Sequence, residues 1–352
     1  MQLSTKLVPI NELKPGMILA NDVIIENKEL LTKDIPVTES IIKNLKENYI
    51  IDKVEIYLED DSKEPFILKN KTISTVQATF DKFSSNLKEI FNKISNLKVP
   101  EIKEIRTFSE KIQLEFDSTG AVIKNIVFYG SGNDNIYRHS INVAAMSFIL
   151  GKWLNLSNTD LNLLTYSAIL HDFGKTKIPA SIVQDEQNLS EEEFKIFKTH
   201  PVIGYNFVKK IPYINKSIFY GVLMHHEKMD GSGYPLGITG DKIHKFAKII
   251  AIADLFDEVN SNKYSQNISG PFEALKVIQE QSLGKLDCEY CNTFLNHVIN
   301  YFIGENVLLN NKKSCKVIQI NINNLTQPLL LDEDGFLDLK KEKDLYVEKL
   351  VI

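Results

Sequence analysis

Seven residues of this chain have the side-chain types and positions that metal chemistry requires. The stretch SAILHDFGKTKIP places His171 directly before Asp172 at the end of an apolar run. The other five also stand at or near the ends of apolar runs: His139, His200, His225, His226 and Asp254. A buried imidazole or carboxylate costs on the order of several kcal/mol unless it is paired, and a metal cluster removes that cost for the whole set. The sequence therefore predicts a cluster of metal ligands.

The types of ligand indicate which metals would bind and which reaction they would support. Imidazole with carboxylate suits Fe, Mn, Zn or Ni, and no cysteine lies near the set, which argues against a structural zinc site. The two oxygens of Asp172 can bridge two ions about 4 Å apart while His171 binds one of them. Such a pair deprotonates a water for attack on phosphorus, and Lys175 can offer its cation to a phosphate oxygen. The pattern predicts a metal-dependent phosphohydrolase in which Asp172 and Lys175 are catalytic.

Helices must position these residues, because apolar residues recur at helical spacing almost throughout residues 125–303. We predict an all-α domain there, preceded by a helical linker at 61–124. Within that linker, residues 72–98 have an apolar stripe that predicts an amphipathic helix, either packed in the core or used for dimerisation: Val76, Phe80, Phe83, Leu87, Phe91 and Ile94.

The two ends of the chain differ from the helical centre. Residues 1–60 mix short β-type runs with turn residues and one short helical pattern, which predicts a small α+β module. Residues 304–352 are rich in β-type runs separated by turns, which predicts a small terminal sheet. The expected fold is therefore multidomain, with a helical centre between two smaller parts.

Composition excludes several classes of protein. The 352 residues are 43% hydrophobic and 25% charged, with a formal net charge of -5 and no broad basic field, so we expect no nucleic acid polymer as a partner. No stretch reaches the roughly 18 apolar residues of a membrane span, and the N-terminus lacks a signal-peptide core, so we expect a cytoplasmic protein. Three cysteines are too few for a secreted disulfide framework.

Four motifs connect the ligand set to a known family. HDFGK, HPVIGY, HHEKMDGSGYP and IIAIADLFDEV occur in this order within residues 125–303. They resemble the HD-GYP domain, a branch of the HD superfamily of metal-dependent phosphohydrolases. The histidine pair followed by DGSGYP distinguishes this branch from other HD proteins. Residues 1–60 resemble, more weakly, the N-terminal module that often precedes HD-GYP domains.

The resemblance implies hydrolysis of the bacterial second messenger cyclic di-GMP through a metal-bridging hydroxide, to linear pGpG and then to GMP. Asp172 would bridge the ions, and the implied metal ligands are His139, His171, Asp172, His200, His225, His226 and Asp254. Lys175 would hold a substrate phosphate. Glu227 would orient a ligand histidine, and Asp257 would do the same or anchor its helix.

A glycine-rich loop gives the family its name. The resemblance places Gly231, Gly233, Tyr234 and Pro235 in this loop beside the site, where glycines permit the backbone turns and proline stiffens the exit. Gly233, Tyr234 and Pro235 would contact the substrate. For Tyr234, packing as an aromatic within the loop is an equally good interpretation.

Two departures from the family pattern bear on metals and substrate. Family members with three metals have a glutamate four residues before the first histidine, and Asn135 stands there in this chain. We therefore expect two divalent ions, iron or manganese. Where the family has Asp-Arg-Pro-Tyr, this chain reads NSNKYSQN, so that Lys263 keeps the charge of the arginine without its bidentate fork, and Gln266 replaces a later basic residue.

Three functions therefore compete. The first, which we favour, is a cyclic di-GMP phosphodiesterase. The second is a binding module that senses cyclic di-GMP without turnover, and the altered segment around Lys263 favours it. The third is an HD-type phosphohydrolase of another nucleotide. We also expect a homodimer, formed through residues 1–60 or through the helix at 72–98.

Overall fold

The structure, a computed structural model, describes the following residues: 5–25, 28–31, 37, 41–42, 45–46, 53–57, 73–96, 103–116, 119–132, 136–261 and 270–351. The chain divides into two compact units, Met1–Lys71 and Thr72–Ile352. Each unit has its own buried core, and the two are described separately below.

The first unit contains two small antiparallel sheets. Strand β1 (Thr5–Pro9) pairs with β4 (Lys53–Tyr57), and β2 (Val23–Ile25) pairs with β3 (Lys28–Leu31). In β4 the buried Val54 and Ile56 alternate with more exposed residues, as expected of a strand with one face on a core. The core also includes Val8, Ile10, Leu13, Leu19, Val37 and Leu45.

The second unit consists of helices followed by one sheet. Its helices, in chain order, are α1 (Ile73–Ser95), α2 (Lys103–Glu115), α3 (Thr119–Tyr129), α4 (Tyr137–Trp153), α5 (Asn158–Leu170), α6 (Ala180–Gln184), α7 (Glu191–Phe197), α8 (His200–Val208), α9 (Lys216–Met224), α10 (Lys245–Asn260), α11 (Glu273–Gln281) and α12 (Cys288–Val298). Four 3₁₀ turns are also present in the described residues: Ile10–Glu12 in the first unit, and Phe173–Lys177, Gly240–Lys242 and Ile299–Tyr301 in the second.

The amphipathic helix predicted at 72–98 is confirmed as α1. All six residues of its apolar stripe are buried, and they join the core of the helical unit. Phe80 stacks on Phe116 at a ring-centroid distance of 4.3 Å, and Phe91 meets Phe173 edge to face at 5.0 Å. The stripe is therefore a core-packing surface within the chain.

Helices α4 and α10 form the centre of the unit. In α4 every residue from Arg138 to Gly151 is buried, and α10 is buried along most of its length, which is typical of helices surrounded by other elements. They pack against each other, and α4 also packs against α5 and α1. His139 lies on α4 and Asp254 on α10, so two predicted metal ligands belong to the most buried helices.

Side-chain caps fix the start of several of the helices around this centre. Ser157 accepts a hydrogen bond from the backbone of Asp160 at the start of α5, and Asn215 caps α9 in the same way. Ser190 and Glu193 form a reciprocal capping box on α7. Such caps set where each helix begins, and so which residues lie at its ends.

The C-terminal segment forms a five-stranded antiparallel sheet in the order β8–β7–β6–β5–β9. Its strands are β5 (Asn306–Leu309), β6 (Ser314–Asn321), β7 (Asn324–Asp332), β8 (Gly335–Asp338) and β9 (Val347–Val351). Buried residues of the sheet such as Val307, Val317 and Leu330 belong to the same core as the helices.

The predicted fold class is confirmed, with a helical centre, an α+β N-terminal part and a β-rich C-terminal part. The boundaries predicted at 124/125 and 303/304 fall inside the unit Thr72–Ile352 and remain predictions. Within the described residues, none of the helices combines the length and the hydropathy that a membrane crossing requires.

Replacing Phe80 with alanine should destabilise the helical unit by about 3–5 kcal/mol, because the ring is fully buried and its removal leaves a cavity. Urea unfolding followed by the fluorescence of Trp153, the one tryptophan of the chain, measures this loss. Lys82→Ala on the exposed face of the same helix is the control, and its free energy of unfolding should stay within about 0.5 kcal/mol of the parent. A loss of less than about 1 kcal/mol for Phe80→Ala would contradict the core assignment of α1.

Candidate metal centre

The ends of four helices, together with one long buried helix, bring the predicted ligands together. His139 lies in the first turn of α4, and His171 directly follows α5. His200 is the first residue of α8, the pair His225 and His226 follows α9, and Asp254 lies within α10. The helix ends converge because each of these helices packs against a neighbour in the same core.

The seven predicted ligands form two groups whose donor atoms lie within 4.8 Å of one another inside each group. One group contains Asp172, His200, His225 and His226, and the other contains His139, His171 and Asp254. Except for His226, which keeps 14% of its side chain exposed, these residues are buried.

Asp172 lies between the two groups. Its Oδ2 is 3.4 Å from Nε2 of His139 and 3.5 Å from Nε2 of His171. Its Oδ1 is 3.3 Å from Nε2 of His200 and 3.8 Å from Nε2 of His225. Each oxygen of this one carboxylate thus faces a different group, as a bridging ligand requires.

Asp254 also has one oxygen toward each group. Its Oδ1 is 3.0 Å from Nε2 of His139 and 4.0 Å from Nε2 of His171, whereas its Oδ2 is 4.0 Å from Nδ1 of His226. Asp172 and Asp254 therefore both lie between the two groups of residues, with one oxygen toward each group.

Hydrogen bonds fix the orientation of three of the imidazoles. His171, His200 and His225 each donate from Nδ1 to the carbonyl three residues earlier, on Ala168, Phe197 and Val222, at 2.7, 2.9 and 2.7 Å. An Nδ1 that donates leaves Nε2 of a neutral ring with a lone pair. All three lone pairs are on the nitrogens that face Asp172.

Ring nitrogens of the cluster also lie close to one another. Nε2 of His171 lies 3.3 Å from Nε2 of His139, and Nε2 of His200 lies 3.2 Å from Nε2 of His225. Within the described part of the chain, no well-directed hydrogen bond reaches either oxygen of Asp172 or Nε2 of His226, although these atoms are buried. Facing lone pairs and unsatisfied carboxylate oxygens repel one another unless cations lie among them, so the residues present fit a metal site.

Burial keeps the histidines neutral. It lowers the pKa of His200 from 6.5 to about 4, and it also lowers the pKa of His171, His225 and His226. A neutral imidazole is the form that binds a metal ion, and all four rings have that form at neutral pH.

The carboxylates remain charged despite their burial. Burial alone would raise the pKa of Asp172, but the charge of Lys175 holds it well below its usual range. In the same way, a hydrogen bond and the charge of His139 outweigh burial and lower the pKa of Asp254. The site therefore presents anionic oxygens beside neutral nitrogens.

Lys175 is buried and lies between two carboxylates. Its Nζ is 2.9 Å from Oδ2 of Asp172 and 3.2 Å from Oε1 of Glu186, and only 4% of its side chain is exposed. Burial would lower the pKa of this ammonium, but Asp172 and Glu186 raise it well above its usual value. Gly174 permits this placement because a Cβ there would lie 2.0 Å from the carbonyl oxygen of His200.

A second layer of hydrogen bonds holds His139. Its Nδ1 lies 2.7 Å from Oδ2 of Asp257, and Asn142 donates to the other oxygen of that carboxylate at 2.6 Å. Such carboxylate partners orient ligand histidines and raise their basicity. The position of Asp257 beside His139 is compatible with the predicted role of orienting that histidine, which stays a prediction.

The second layer continues to helix α1. The buried Arg138 donates to Asn142 from Nε at 3.0 Å, to Asn125 at 2.7 Å, and to Gln77 and Asp81 of α1 at 3.0 and 2.9 Å. Helix α1 is in this way connected to His139, the first of the predicted ligands, through side chains alone.

The glycine-rich loop covers the histidines. The ring of Tyr234 stacks on His226 at 4.7 Å and an interplanar angle of 23°. Gly233 lets the loop approach closely, since a Cβ there would lie 2.4 Å from the backbone nitrogen of Lys228. Pro235 follows in the same loop, joined to Tyr234 by a cis peptide bond.

Glu227 makes a different contact from the one expected. Its carboxylate accepts hydrogen bonds from the backbone nitrogens of Leu236 and Ile238 at 2.6 and 3.1 Å. Its described hydrogen bonds thus anchor the loop and do not reach a ligand histidine. The physical reason is that two loop N–H groups point at this carboxylate and would otherwise lie partly buried without an acceptor.

The structure also contains site residues that sequence reasoning missed. Glu186 contacts Lys175, and its position in a polar stretch gave no signal. Glu258 lies one helical turn after Asp254, and that spacing could have identified it. Burial and the charge of Asp254 raise the pKa of Glu258 to about 8. The predicted Lys263, with Asn135 and Gln266, lies outside the described residues.

Comparison with known proteins first defines the class of this domain. Residues 124–289 match the family model described as HD domain. This central part of the chain is therefore similar to HD domains. The four motifs predicted a resemblance to HD-GYP phosphohydrolases, and this prediction is confirmed for residues 124–289.

Curated relatives of this domain include cyclic dinucleotide phosphodiesterases. The chain is 32% identical to the cyclic di-GMP phosphodiesterase response regulator RpfG of Xanthomonas campestris over 45% of this chain and 41% of that protein. It is 28% identical to the cyclic di-GMP phosphodiesterase PdeB of Borreliella burgdorferi over 54% and 50% of the two chains. It is 30% identical to the 3'3'-cGAMP-specific phosphodiesterase 3 of Vibrio cholerae over 46% and 35%. The chain spans half or less of the length of these relatives.

Asp257→Asn should lower the affinity of the protein for Mn²⁺ about ten- to a hundred-fold, because the carboxylate that orients His139 loses its charge. Competition with a chromophoric chelator measures this affinity. Asp241→Asn, at an exposed position, is the control and should bind Mn²⁺ as the parent does. Equal affinities in Asp257→Asn and the parent would exclude a role of Asp257 in positioning His139.

The metal-free protein should lose stability as the pH falls from about 6.5 to about 4. In this window the unfolded chain protonates the four histidines, whereas burial keeps them neutral in the folded chain, so the free energy of unfolding decreases with falling pH. The lowered pKa of Asp172 changes the free energy of unfolding only below about pH 4, outside this window. Urea unfolding in EDTA at about pH 7.5 and about pH 5 tests this. A free energy of unfolding that is the same at both pH values would contradict the neutral, buried state of the histidines.

Proposed function

We propose that this protein is a metal-dependent phosphodiesterase that hydrolyses cyclic di-GMP to linear pGpG and then to GMP. One observation carries the proposal: a buried carboxylate, Asp172, lies between two groups of imidazoles, and its Oδ1 has no hydrogen-bond partner among the described residues. Relatives named cyclic di-GMP phosphodiesterases share the same domain and support the choice of substrate.

The ligand set can hold two divalent ions, and imidazole with carboxylate suits iron or manganese. When bound, such ions supply Lewis acidity toward the phosphodiester and an activated water. Asp172 would hold both ions at a fixed separation, because its two oxygens face different groups. Asp254 would act alongside it from α10.

Lys175 would neutralise a non-bridging oxygen of the scissile phosphate. Its ammonium is already within 3.2 Å of two carboxylates, and a phosphate would be a third anion beside one cation. Glu186 is the less buried of the two carboxylates, so it is the partner that the phosphate would displace. Tyr234, stacked over His226, would exclude water from one side of the reacting group.

The other parts of the chain take supporting roles in this proposal. The four-part division at 60, 124 and 303 would separate a regulatory N-terminal module from the HD-GYP domain. A homodimer would use the first unit or the exposed face of α1, because the apolar stripe of α1 is buried within the chain.

A cyclic GMP–AMP dinucleotide is the second candidate substrate, since one relative is named as specific for 3'3'-cGAMP.

Hydrolysis of cyclic di-GMP by the anaerobically metal-loaded protein should be lost in Asp172→Ala, because the bridging carboxylate is gone. Chromatography resolves pGpG from GMP, and parallel assays with 3'3'-cGAMP compare the two substrates. Asp241→Ala, at an exposed position, should retain full activity. If the parent protein binds cyclic di-GMP but forms no product with iron, manganese or other divalent ions, the proposed enzyme activity is contradicted. The protein would then be a cyclic di-GMP sensor.

Glu186→Gln should bind cyclic di-GMP about three- to ten-fold more tightly than the parent, because the substrate phosphate no longer competes with this carboxylate for Lys175. Isothermal titration calorimetry of the metal-free proteins measures the change. Glu192→Gln, an exposed residue on α7, provides the same loss of charge without a contact to Lys175. Unchanged or weaker binding in Glu186→Gln would contradict the competition between Glu186 and phosphate.

A further inference from the structure

A cavity of about 640 Å³ lies between the C-terminal half of α1, the start of α4 and the segment 175–184. Its volume falls within the roughly 300–1,000 Å³ of small-molecule sites in proteins. Lys175 lines this cavity, and Nζ of the same residue is 2.9 Å from Asp172. The cavity therefore adjoins the candidate metal centre.

The charges around the cavity have one sign. Lys88, Lys175 and Lys177 line it, and the described lining contains no aspartate or glutamate. Lys88 and Lys177 are exposed, so their ammonium groups can reorient toward a ligand. Lys175 already contacts Asp172 and Glu186, but no carboxylate of the described lining faces Lys88 or Lys177, and these two lysines favour an anionic ligand.

Aromatic rings and amides complete the lining. Phe91 and Tyr137 meet edge to face at 6.0 Å, and Nζ of Lys88 lies 5.9 Å from the centre of the Tyr137 ring. Asn92 and Gln184 add donors and acceptors. A flat aromatic surface binds the face of a nucleobase, and side-chain amides recognise its edge.

We propose that this cavity binds one nucleotide unit of the dinucleotide substrate while the scissile phosphodiester lies at Asp172. The base packs against Tyr137, and the phosphate of this unit lies toward Lys88 and Lys177. This inference rests on the proposed phosphodiesterase function. It is also consistent with the size of the substrate, because a metal centre contacts one phosphodiester and leaves the remaining nucleotide to be bound elsewhere.

The proposal gives helix α1 a role in substrate selection. Lys88 and Asn92 belong to α1, which precedes the matched HD domain at 124–289. One face of α1 packs in the core, and Lys88 and Asn92 on its exposed side contact the substrate. A phosphodiester without a nucleoside would not use this cavity.

Two variants of α1 and one control test the cavity. Lys88→Glu reverses a charge of the lining, and Asn92→Ala removes an amide; both positions are exposed, so the fold is retained. Lys82→Glu makes the same change of charge on the same helix, at an exposed position that does not line the cavity. The full chain is assayed twice: for binding of cyclic di-GMP by calorimetry in EDTA, and for hydrolysis of cyclic di-GMP and bis(p-nitrophenyl) phosphate after loading with Mn²⁺.

Lys88→Glu should weaken binding of cyclic di-GMP about ten-fold, the scale of one charge-assisted contact, and Asn92→Ala about three-fold. The kcat/KM for cyclic di-GMP should fall at least five-fold more than that for bis(p-nitrophenyl) phosphate, on the order expected for contacts to the nucleotide alone. Lys82→Glu should match the parent in all three measurements.

Two results would overturn the cavity assignment and leave the proposed function standing. In one, the parent hydrolyses cyclic di-GMP and Lys88→Glu behaves like Lys82→Glu. In the other, Lys88→Glu reduces hydrolysis of both substrates equally, which places its effect at the metal centre. A parent that hydrolyses bis(p-nitrophenyl) phosphate but neither binds nor hydrolyses cyclic di-GMP would overturn both the substrate and the cavity.

Discussion

One buried carboxylate, that of Asp172, determines how the rest of the centre is built. It lies between two groups of imidazoles, and it keeps its negative charge in the core because the ammonium of Lys175 contacts it. The rings of His171, His200 and His225 are oriented in the same way. Each donates a hydrogen bond from Nδ1 to the carbonyl three residues earlier, and each of these carbonyls lies in the last turn of a helix. The orphan carbonyls of helix ends thus find donors, and the free nitrogens all face the carboxylate.

This arrangement links the stability of the fold to the chemistry of the site. Ligands at helix ends can converge only if the helices meet in one core, and α4 and α10 provide that core along most of their length. Arg138 extends the support outward, since it connects Asn142, and through it Asp257 and His139, to helix α1. A segment outside the matched HD domain therefore contributes to holding its first ligand histidine.

Sequence reasoning could predict the seven ligands because their types are rare and their positions follow apolar runs, and it could predict α1 because its period is regular. It could not identify Arg138 or Glu186, whose partners are distant in sequence and depend on how helices pack. Glu258 was within reach, since it shares a helix face with Asp254. Residue spacing could not show that the carboxylate of Glu227 accepts hydrogen bonds from loop N–H groups.

The central claim is that the cluster around Asp172 binds two divalent ions, and anomalous diffraction from crystals of the manganese-loaded protein tests it most directly. The account predicts two anomalous peaks, one among His139, His171 and Asp254 and one among His200, His225 and His226, with Asp172 contacting both. No peak within this cluster, or peaks at other residues only, would contradict it.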